Sequence, residues 1–533
     1  MLKSQKLSYM MGKEAILHFF RKNYITTLFH LPGIHSLPLN VTMIQEGLNV
    51  IIGRHESNLI FMADGFARAS GKAGVVIVTP GPGLGNIVTG CMEAYNDDVP
   101  LLIINIDTER KDIGKGILHE LKDPETIFTN ITKKTFVVSD VRELIPALYN
   151  AYTTALSPRR GPVVISIPYA LFEKEVPEKS DSFDFEEQSI DITGIESVLK
   201  NKKRPVIIGG KSLMFREAAP ILDSLCTDCA IPFLTTTGGK GIVREDSTYA
   251  FGNVIQRGTV KDILESSDIV IAIGTRLREV DAKRRGVKTK ELIHIDVDSR
   301  WINKNYNATF TATGSIEKAL KGLVGILQGK GFTWDLKRLK DMERKEYALY
   351  EKQFPGFKLI QTIRASIPEE TIVVCDLNLP SYWAEYYFPV FHQQAFFMPR
   401  GASPIFYSIP AGIGAKIGRP ESPCLSICGD GGALPAIAEL ATIVRYRIPV
   451  VMFIYNNNSF GILEEYMEKI YGLKKTMALN NPDFVKIAKS FGIKGKRVQT
   501  INQLKEVFLK DITWDEPFLI EFKYPAFPPP WRS

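Results

Sequence analysis

The feature that most constrains this chain is a repeated alternation. Short, uninterrupted runs of apolar and β-branched residues alternate with helical patterns in three successive stretches. The first stretch carries such runs at 74–79, 101–105 and 162–167, the second at 204–210, 268–274 and 292–296, the third at 371–376, 424–429 and 449–455. Runs without polar alternation suit strands buried on both faces, as parallel strands are. Alternation with helices then places them in layered α/β units. An acidic, polar segment at 173–187 and a charged helical segment from Lys337 to Glu351 separate the stretches and read as linkers. At roughly 100–200 residues per domain, 533 residues make about three domains. The expectation is an α/β fold of three doubly wound parallel-sheet domains, over 1–175, 188–335 and 352–533. The first and third stretches match in size and strand density, which invites a reading as an ancient duplication.

Two motifs stand at strand ends in the third stretch. Cys428-Gly429-Asp430-Gly431-Gly432 closes one run, and Tyr455-Asn456-Asn457-Asn458-Ser459-Phe460-Gly461 closes the next. Carboxyl ends of parallel strands open into the crevice where α/β sheets bind ligands. Gly429, Gly431 and Gly432 let the backbone approach a phosphate closely, with free N–H groups for its oxygens. A helix expected from near Ala433 would turn its N-terminus to the same anion. Magnesium takes oxygen ligands and shares them with a phosphate. Asp430 and Asn457 supply two oxygens and the Ser459 carbonyl a third. The 27 positions from Asp430 to Asn457 fit strand, helix and returning strand. Gly-Asp-Gly alone marks a turn; the combination marks a metal and diphosphate site.

Composition excludes other classes. A net charge of +7 over this length is mild, and the basic clusters at 283–285 and 337–340 are too short for a nucleic-acid footprint, so they read as solvated faces. No run approaches the ~20 apolar residues of a membrane span. Lys13 and Glu14 interrupt the N-terminal segment where a signal peptide needs an apolar core. Cys226 and Cys229 form the only CxxC and sit in an apolar helical pattern, which reads as core packing rather than a metal or redox site. Few, unpatterned cysteines fit a reducing cytoplasm.

The segment 429–461 resembles the thiamine-diphosphate motif. Leu31-Pro32-Gly33, Arg54-His55-Glu56, the run ADGFAR at 63–68, Gly81-Pro82-Gly83 and Asn86 are similar to the pyrimidine-binding domain of the acetolactate synthase and 2-oxo acid decarboxylase superfamily. The likeness runs in order along essentially the whole chain. It implies thiamine diphosphate and Mg2+ as cofactors. It implies that Glu56 hydrogen-bonds N1′ of the aminopyrimidine, so that a C2 ylid forms, attacks a 2-oxo acid and expels carbon dioxide to leave an enamine. Gly33, Pro82, Gly83 and Asn86 would join Glu56 around the cofactor. The Ser403 carbonyl would receive the 4′-amino group, and Ile405 would enforce the bent cofactor shape. Phe460, Gly461 and Ile462 complete the implied cofactor-binding set. Pro404 and Phe406 depart from the pattern, standing where small or glycine residues are usual. In this superfamily one active site draws on two subunits, which implies a homodimer, often paired into a tetramer. Some relatives hold FAD in the central domain, and the sequence leaves that open here.

Substrate choice rests on fewer positions. His35 follows Pro32-Gly33-Ile34, and His119 lies in Leu118-His119-Glu120-Leu121, where acetolactate synthases usually carry Phe-Gln-Glu. The pair resembles the guanidino-oxo-acid decarboxylase branch, which acts on a basic 2-oxo acid. Histidine suits protonation of the intermediate left by decarboxylation, because its pKa lies near neutrality. Leu463 occupies the position of the glutamate relay in pyruvate decarboxylases, and Glu464 and Glu465 read as solvated helix residues. The first reading is a 2-oxo acid decarboxylase with carboligase side activity. The alternative is an acetolactate synthase-type carboligase condensing two 2-oxo acids, and a third is a binding relative without activity. The aromatic, proline-rich segment 524–531 reads equally as a lid over the site or as a strap on its own domain.

Overall fold

The structure is a computed structural model that describes residues 9–177, 188–214, 218–282, 286–473 and 477–532. The basic cluster 283–285 and most of the first linker, 178–187, lie outside the described residues. The described chain builds three six-stranded sheets, each wholly parallel.

The first sheet runs Asn49–Ile52, Thr27–His30, Gly74–Val78, Leu101–Asp107, Pro162–Pro168, Lys134–Val137. The third runs Phe396–Phe397, Ile372–Cys375, Cys424–Gly429, Val451–Asn456, Phe518–Lys523, Lys494–Val498. Numbered within its own unit, each has the order 2-1-3-4-6-5. The shared order supports the duplication reading. The central sheet runs Ala250–Asn253, Phe233–Thr235, Pro205–Gly209, Ile269–Ile273, Leu292–Asp296, Phe310–Thr313, the 3-2-1-4-5-6 order of dinucleotide-binding folds. Every run read from the sequence is a strand. Leu101–Asp107 and Pro162–Pro168 are buried along their whole length, which is why they lack polar alternation. The first linker begins as strand Glu175–Pro177, paired antiparallel with Tyr9–Met11. The second is the helix Leu336–Gln353, in which Leu339 alone is buried, and the basic cluster 337–340 lies on it.

The first and third units meet through two helices. Glu56–Ser70 starts where the His55 ring accepts the Ser57 N–H at 3.2 Å and ends at Gly71, whose φ is 73°. It packs backbone to backbone against Ser408–Gly418: a Cβ on Gly65 would lie 1.9 Å from the Ala411 carbonyl oxygen, and one on Gly414 1.7 Å from that of Met62. This contact fixes the two ligand crevices relative to each other. Cys226 and Cys229 are buried free thiols on and just after the helix Ala219–Asp228, as core packing requires. Among the described residues no helix is long and apolar enough to cross a membrane.

Candidate cofactor and active site

In a sheet of order 2-1-3-4-6-5 the chain reverses direction between strands 1 and 3, and ligands bind in the crevice at that point. In the first sheet the crevice lies beyond Thr27–His30 and Gly74–Val78. Glu56 opens its helix there and is 8% exposed. Asn86 donates its side-chain N–H to Glu56 Oε2 at 2.9 Å. A Cβ on Gly83 would lie 2.6 Å from Thr79 Oγ1 and 3.5 Å from Glu56 Oε1, so the glycine keeps this floor open. Gly33 lies against Thr79, and Pro82 opens the short helix Pro82–Asn86. The loop Gly33–Ser36 is pinned from beneath: the buried His30 ring bridges the Ile77 carbonyl at 2.8 Å and the Ser36 hydroxyl at 3.0 Å, and the Gly33 N–H donates to Ser36 Oγ at 3.1 Å. Burial pushes the His30 pKa down to about 4, so the ring is neutral. Thr79, His30 and Ser36 escaped the motif reading.

The third sheet presents its own crevice, a cavity of about 200 Å³. Asp376, Asn378, Ile405, Gly429, Asp430 and Asn457 are among its walls, with Gly431, Gly432, Ser459, Phe460, Gly461 and Ile462 completing them. Ile405 is 42% exposed there and is not core. The helix begins at Asp430 itself, with Gly429 as its N-cap, three residues before the position expected from sequence. Glycines and an aspartate read as loop residues, and packing on the strand overrides that preference. Asp430 is 3% exposed; its Oδ1 accepts the Gly431 N–H at 2.9 Å and its Oδ2 accepts an N–H of Asn481 at 2.8 Å. Burial raises its pKa, and these donors oppose the rise. The segment after 476 crosses back over the asparagine loop, Leu479 N–H donating to the Asn458 carbonyl at 2.7 Å and Phe460 N–H to the Met477 carbonyl at 3.1 Å. Asn481, which this crossing delivers, keeps a buried Oδ1 without a partner. The donor set is oxygen throughout, and among the described residues no cluster of three His, Cys, Asp or Glu side chains stands ready for a metal. Such a set suits magnesium completed by phosphate oxygens.

Two expectations change here. Glu464 is not a solvated helix residue: its carboxylate accepts the hydroxyl hydrogen of Ser459, tying the helix Gly461–Tyr471 to the asparagine loop. Phe406 and Ser403 both take left-handed backbone, φ 58° and 57°, so the departure from glycine at Phe406 is a strained turn. The Phe406 ring is anchored edge-on against Phe61 at 5.4 Å. Leu463 is 49% exposed and borders the cavity.

His35 and His119 meet at the lip of the first crevice. Their ring centroids are 5.6 Å apart, and the Tyr169 ring lies 5.3 Å from that of His35. Both Nδ1 atoms are buried without a hydrogen-bond partner. Burial and the neighbouring His119 lower the His35 pKa. His119 itself has a left-handed φ of 64°, and its loop is fixed by Glu120, whose carboxylate accepts N–H groups from Gly114 at 2.8 Å and Gly116 at 3.0 Å.

At the central sheet's crevice, where a flavin dinucleotide would be expected, Lys211 and Arg278 pair with Asp97 and leave about 50 Å³. Ligand pockets usually measure about 300–1,000 Å³. A separate cleft of about 1710 Å³ runs between the central and third units and reaches Ser403, Ile462 and Leu463. The C-terminal segment lies on its own unit: Trp383 donates to the Pro528 carbonyl at 2.8 Å, Tyr455 to that of Pro525 at 2.8 Å, and Trp531 packs on Tyr382 at the edge of the cleft.

Two crevices stand at matching points of two matching sheets, one with a buried glutamate and one lined by glycines and oxygen donors. Comparison with known proteins agrees in each unit. The N-terminal thiamine pyrophosphate-binding domain of thiamine pyrophosphate enzymes matches residues 10–127, their central domain 192–323 and their C-terminal thiamine pyrophosphate-binding domain 379–522. The probable acetolactate synthase large subunit of Methanocaldococcus jannaschii is 30% identical over 96% of this chain and 91% of its own. A probable 2-ketoarginine decarboxylase of Pseudomonas aeruginosa is 29% identical over 92% and 90%. The thiamine diphosphate-dependent 4-hydroxybenzoylformate decarboxylase of Rhodococcus jostii shares the fold, with a TM-score of 0.83 at 20% identity over 97% of this chain and 99% of that one. The chain belongs to the thiamine pyrophosphate enzymes.

Proposed function

We propose that this enzyme decarboxylates a 2-oxo acid without oxidation, using thiamine diphosphate held through Mg2+ by Asp430, Asn457 and the Ser459 carbonyl. When bound, the cofactor supplies a carbanion nucleophile and an electron sink. Everything else falls to the chain. Glu56, oriented by Asn86, exchanges a proton with the pyrimidine ring. The Ser403 carbonyl and Ile405 orient that ring, and Gly431, Gly432 and Gly461 admit the diphosphate. The domain limits adopted are 1–175 for the pyrimidine unit, 188–335 for the central unit and 352–533 for the diphosphate unit.

The observation that carries the decarboxylase reading is the His35–His119 pair. Burial and a close second imidazole lower the His35 pKa, which favours its neutral form. Such a pair can hand a proton to the carbon that carbon dioxide leaves. Leu463 offers no such proton. The long cleft reaching Ser403 and Leu463 supports a substrate larger than pyruvate. A panel of pyruvate, branched, aromatic and basic 2-oxo acids, assayed for carbon dioxide and aldehyde, tests the reading. Acetolactate as the dominant product from pyruvate would establish the carboligase alternative instead. His119→Ala is expected to lower turnover about a hundredfold without loss of cofactor affinity by calorimetry. Loss of affinity with turnover preserved would make His119 structural. The visible spectrum of the purified protein tests whether the central unit holds a flavin.

Oligomerisation belongs to the same proposal. Among the described residues no side chain of the first unit lines the third unit's cavity. Each half-site is flanked by exposed apolar side chains at helical spacing: Leu37, Val41 and Ile44 beside His35, and Leu463, Tyr466 and Ile470 beside Ile462. A second copy would cover both stripes and bring the half-sites together. We therefore place the enzyme as a cytoplasmic homodimer or tetramer, testable by light scattering.

A further inference from the structure

We infer that Glu93, in the helix Val88–Asn96 of the first unit, is the positioning residue that holds the strap 400–403 and thereby aims the Ser403 carbonyl at the cofactor. The inference rests on the role proposed above for Ser403. Glu93 is fully buried. Its Oε1 accepts the Gly401 N–H at 3.0 Å, and its Oε2 accepts those of Ala402 at 2.6 Å and Ser403 at 3.2 Å. Three consecutive backbone donors on one carboxylate hold an anion as a nest does. Here the relation is inverted, because the anion is fixed to a helix and the backbone is what it orders. The approach is close enough that a Cβ on Gly401 would lie 2.3 Å from the Glu93 carbonyl oxygen and 3.1 Å from Asn96 Cβ. The strap's other end is anchored by Arg400, paired with Glu385 at 2.9 Å. Ser403 leaves the strap at φ 57°, a conformation that needs an external hold.

The hold is sensitive to charge. Burial pushes the Glu93 carboxyl up to about 7, and Asp97, which caps the C-terminus of the helix, adds to the rise; Arg68 and the Ala402 N–H oppose it, and Asp64 adds a smaller rise. Tyr407 of the third unit, bonded to Asp64, also faces this group. Above this pKa the carboxylate accepts all three N–H groups. Below it one oxygen carries a proton, and the strap loses part of its hold.

Hydrogen–deuterium exchange of the cofactor-free protein tests this directly. Pro399 and Pro404 carry no amide hydrogen, so in a peptide bounded by these two prolines the exchanging amides are those of the strap. Corrected for intrinsic rates, wild-type exchange at this peptide is expected to slow about tenfold as pH rises through 7, whereas Glu93→Gln exchanges fast and without that step. Thiamine diphosphate with Mg2+ is expected to bind Glu93→Gln about tenfold more weakly above pH 7, with Glu93→Asp partly restored. The ligand's own ionisation is common to all variants and cancels in the ratio. Unchanged exchange and affinity in Glu93→Gln would overturn the inference while leaving the proposed function intact. Failure of the wild type to bind thiamine diphosphate would overturn the function first. Should Glu93→Gln not fold, strap exchange and cofactor affinity in Glu93→Asp equal to those of the wild type would refute the assignment.

Discussion

Glu56→Gln is expected to lower carbon dioxide release by about a thousandfold while thiamine diphosphate still binds. The side chain is nearly buried, receives the Asn86 amide at Oε2 and faces the open floor above Gly83 with Oε1. Glutamine preserves that volume and can still present one acceptor oxygen, so the crevice keeps its shape. What it cannot do is take up and release a proton. Removing a positioned acid–base group costs typically about 10²–10⁴ in rate. The helix that Glu56 opens is capped by His55 and packed against Ser408–Gly418 independently of the carboxylate, so the melting temperature should stay close to wild type. Steady-state carbon dioxide release and calorimetric affinity, measured on the same preparation, separate the two effects. Turnover near the wild-type value would remove Glu56 from the proton step, and loss of binding would make it a structural wall of the crevice.

The features visible in the sequence were those set by neighbouring residues. Central parallel strands bury both faces, so 101–105, 162–167 and 424–429 appeared as unbroken apolar runs. The edge strands Lys134–Val137 and Lys494–Val498 are solvated on one side, carry lysines and arginine, and gave no such signal. The motifs around Asp430 and Asn457 stood out because two short loops carry them. Long-range contacts left no trace of that kind. Asn481 reaches Asp430 from 51 positions away, and Glu93 reaches the Gly401 N–H from 308 positions away. Glu464 appeared solvated because its partner, Ser459, lies five positions earlier, across the start of the helix Gly461–Tyr471, where helical spacing does not apply. The strained Phe406 was visible only as a departure from a pattern; its φ and its contact with Phe61 supply the physical reason.

Asp430→Ala is expected to abolish Mg2+-dependent cofactor binding, a larger effect than loss of any other single side chain in the cradle. Asn457 and the Ser459 carbonyl are neutral donors, so Asp430 brings the only full negative charge among the three proposed ligands. Hard divalent cations favour anionic oxygen, and the remaining ligands would come from the diphosphate itself. Loss of a residue that merely orients a ligand costs about 10- to 100-fold in metal affinity, so loss of the ligand should cost at least about a hundredfold. Thermal unfolding reads this without turnover. At a ligand concentration one hundred times the dissociation constant, the wild type gains about 2.7 kcal/mol from binding, and a hundredfold weaker variant retains only about 0.4 kcal/mol. The shift in melting temperature with Mg2+ and thiamine diphosphate should therefore nearly vanish in Asp430→Ala. Asn481→Ala provides the graded comparison. It removes the 2.8 Å hydrogen bond that orients Asp430 Oδ2, along with weaker ones to Asn456 Oδ1 at 3.2 Å and Asn458 Oδ1 at 3.4 Å, and should weaken binding about tenfold. A full ligand-induced shift in Asp430→Ala would mean that the diphosphate is held by glycine backbone alone. The metal would then have no fixed seat at this helix N-terminus, and the assignment of Asn457 and Ser459 as its ligands would fall with it.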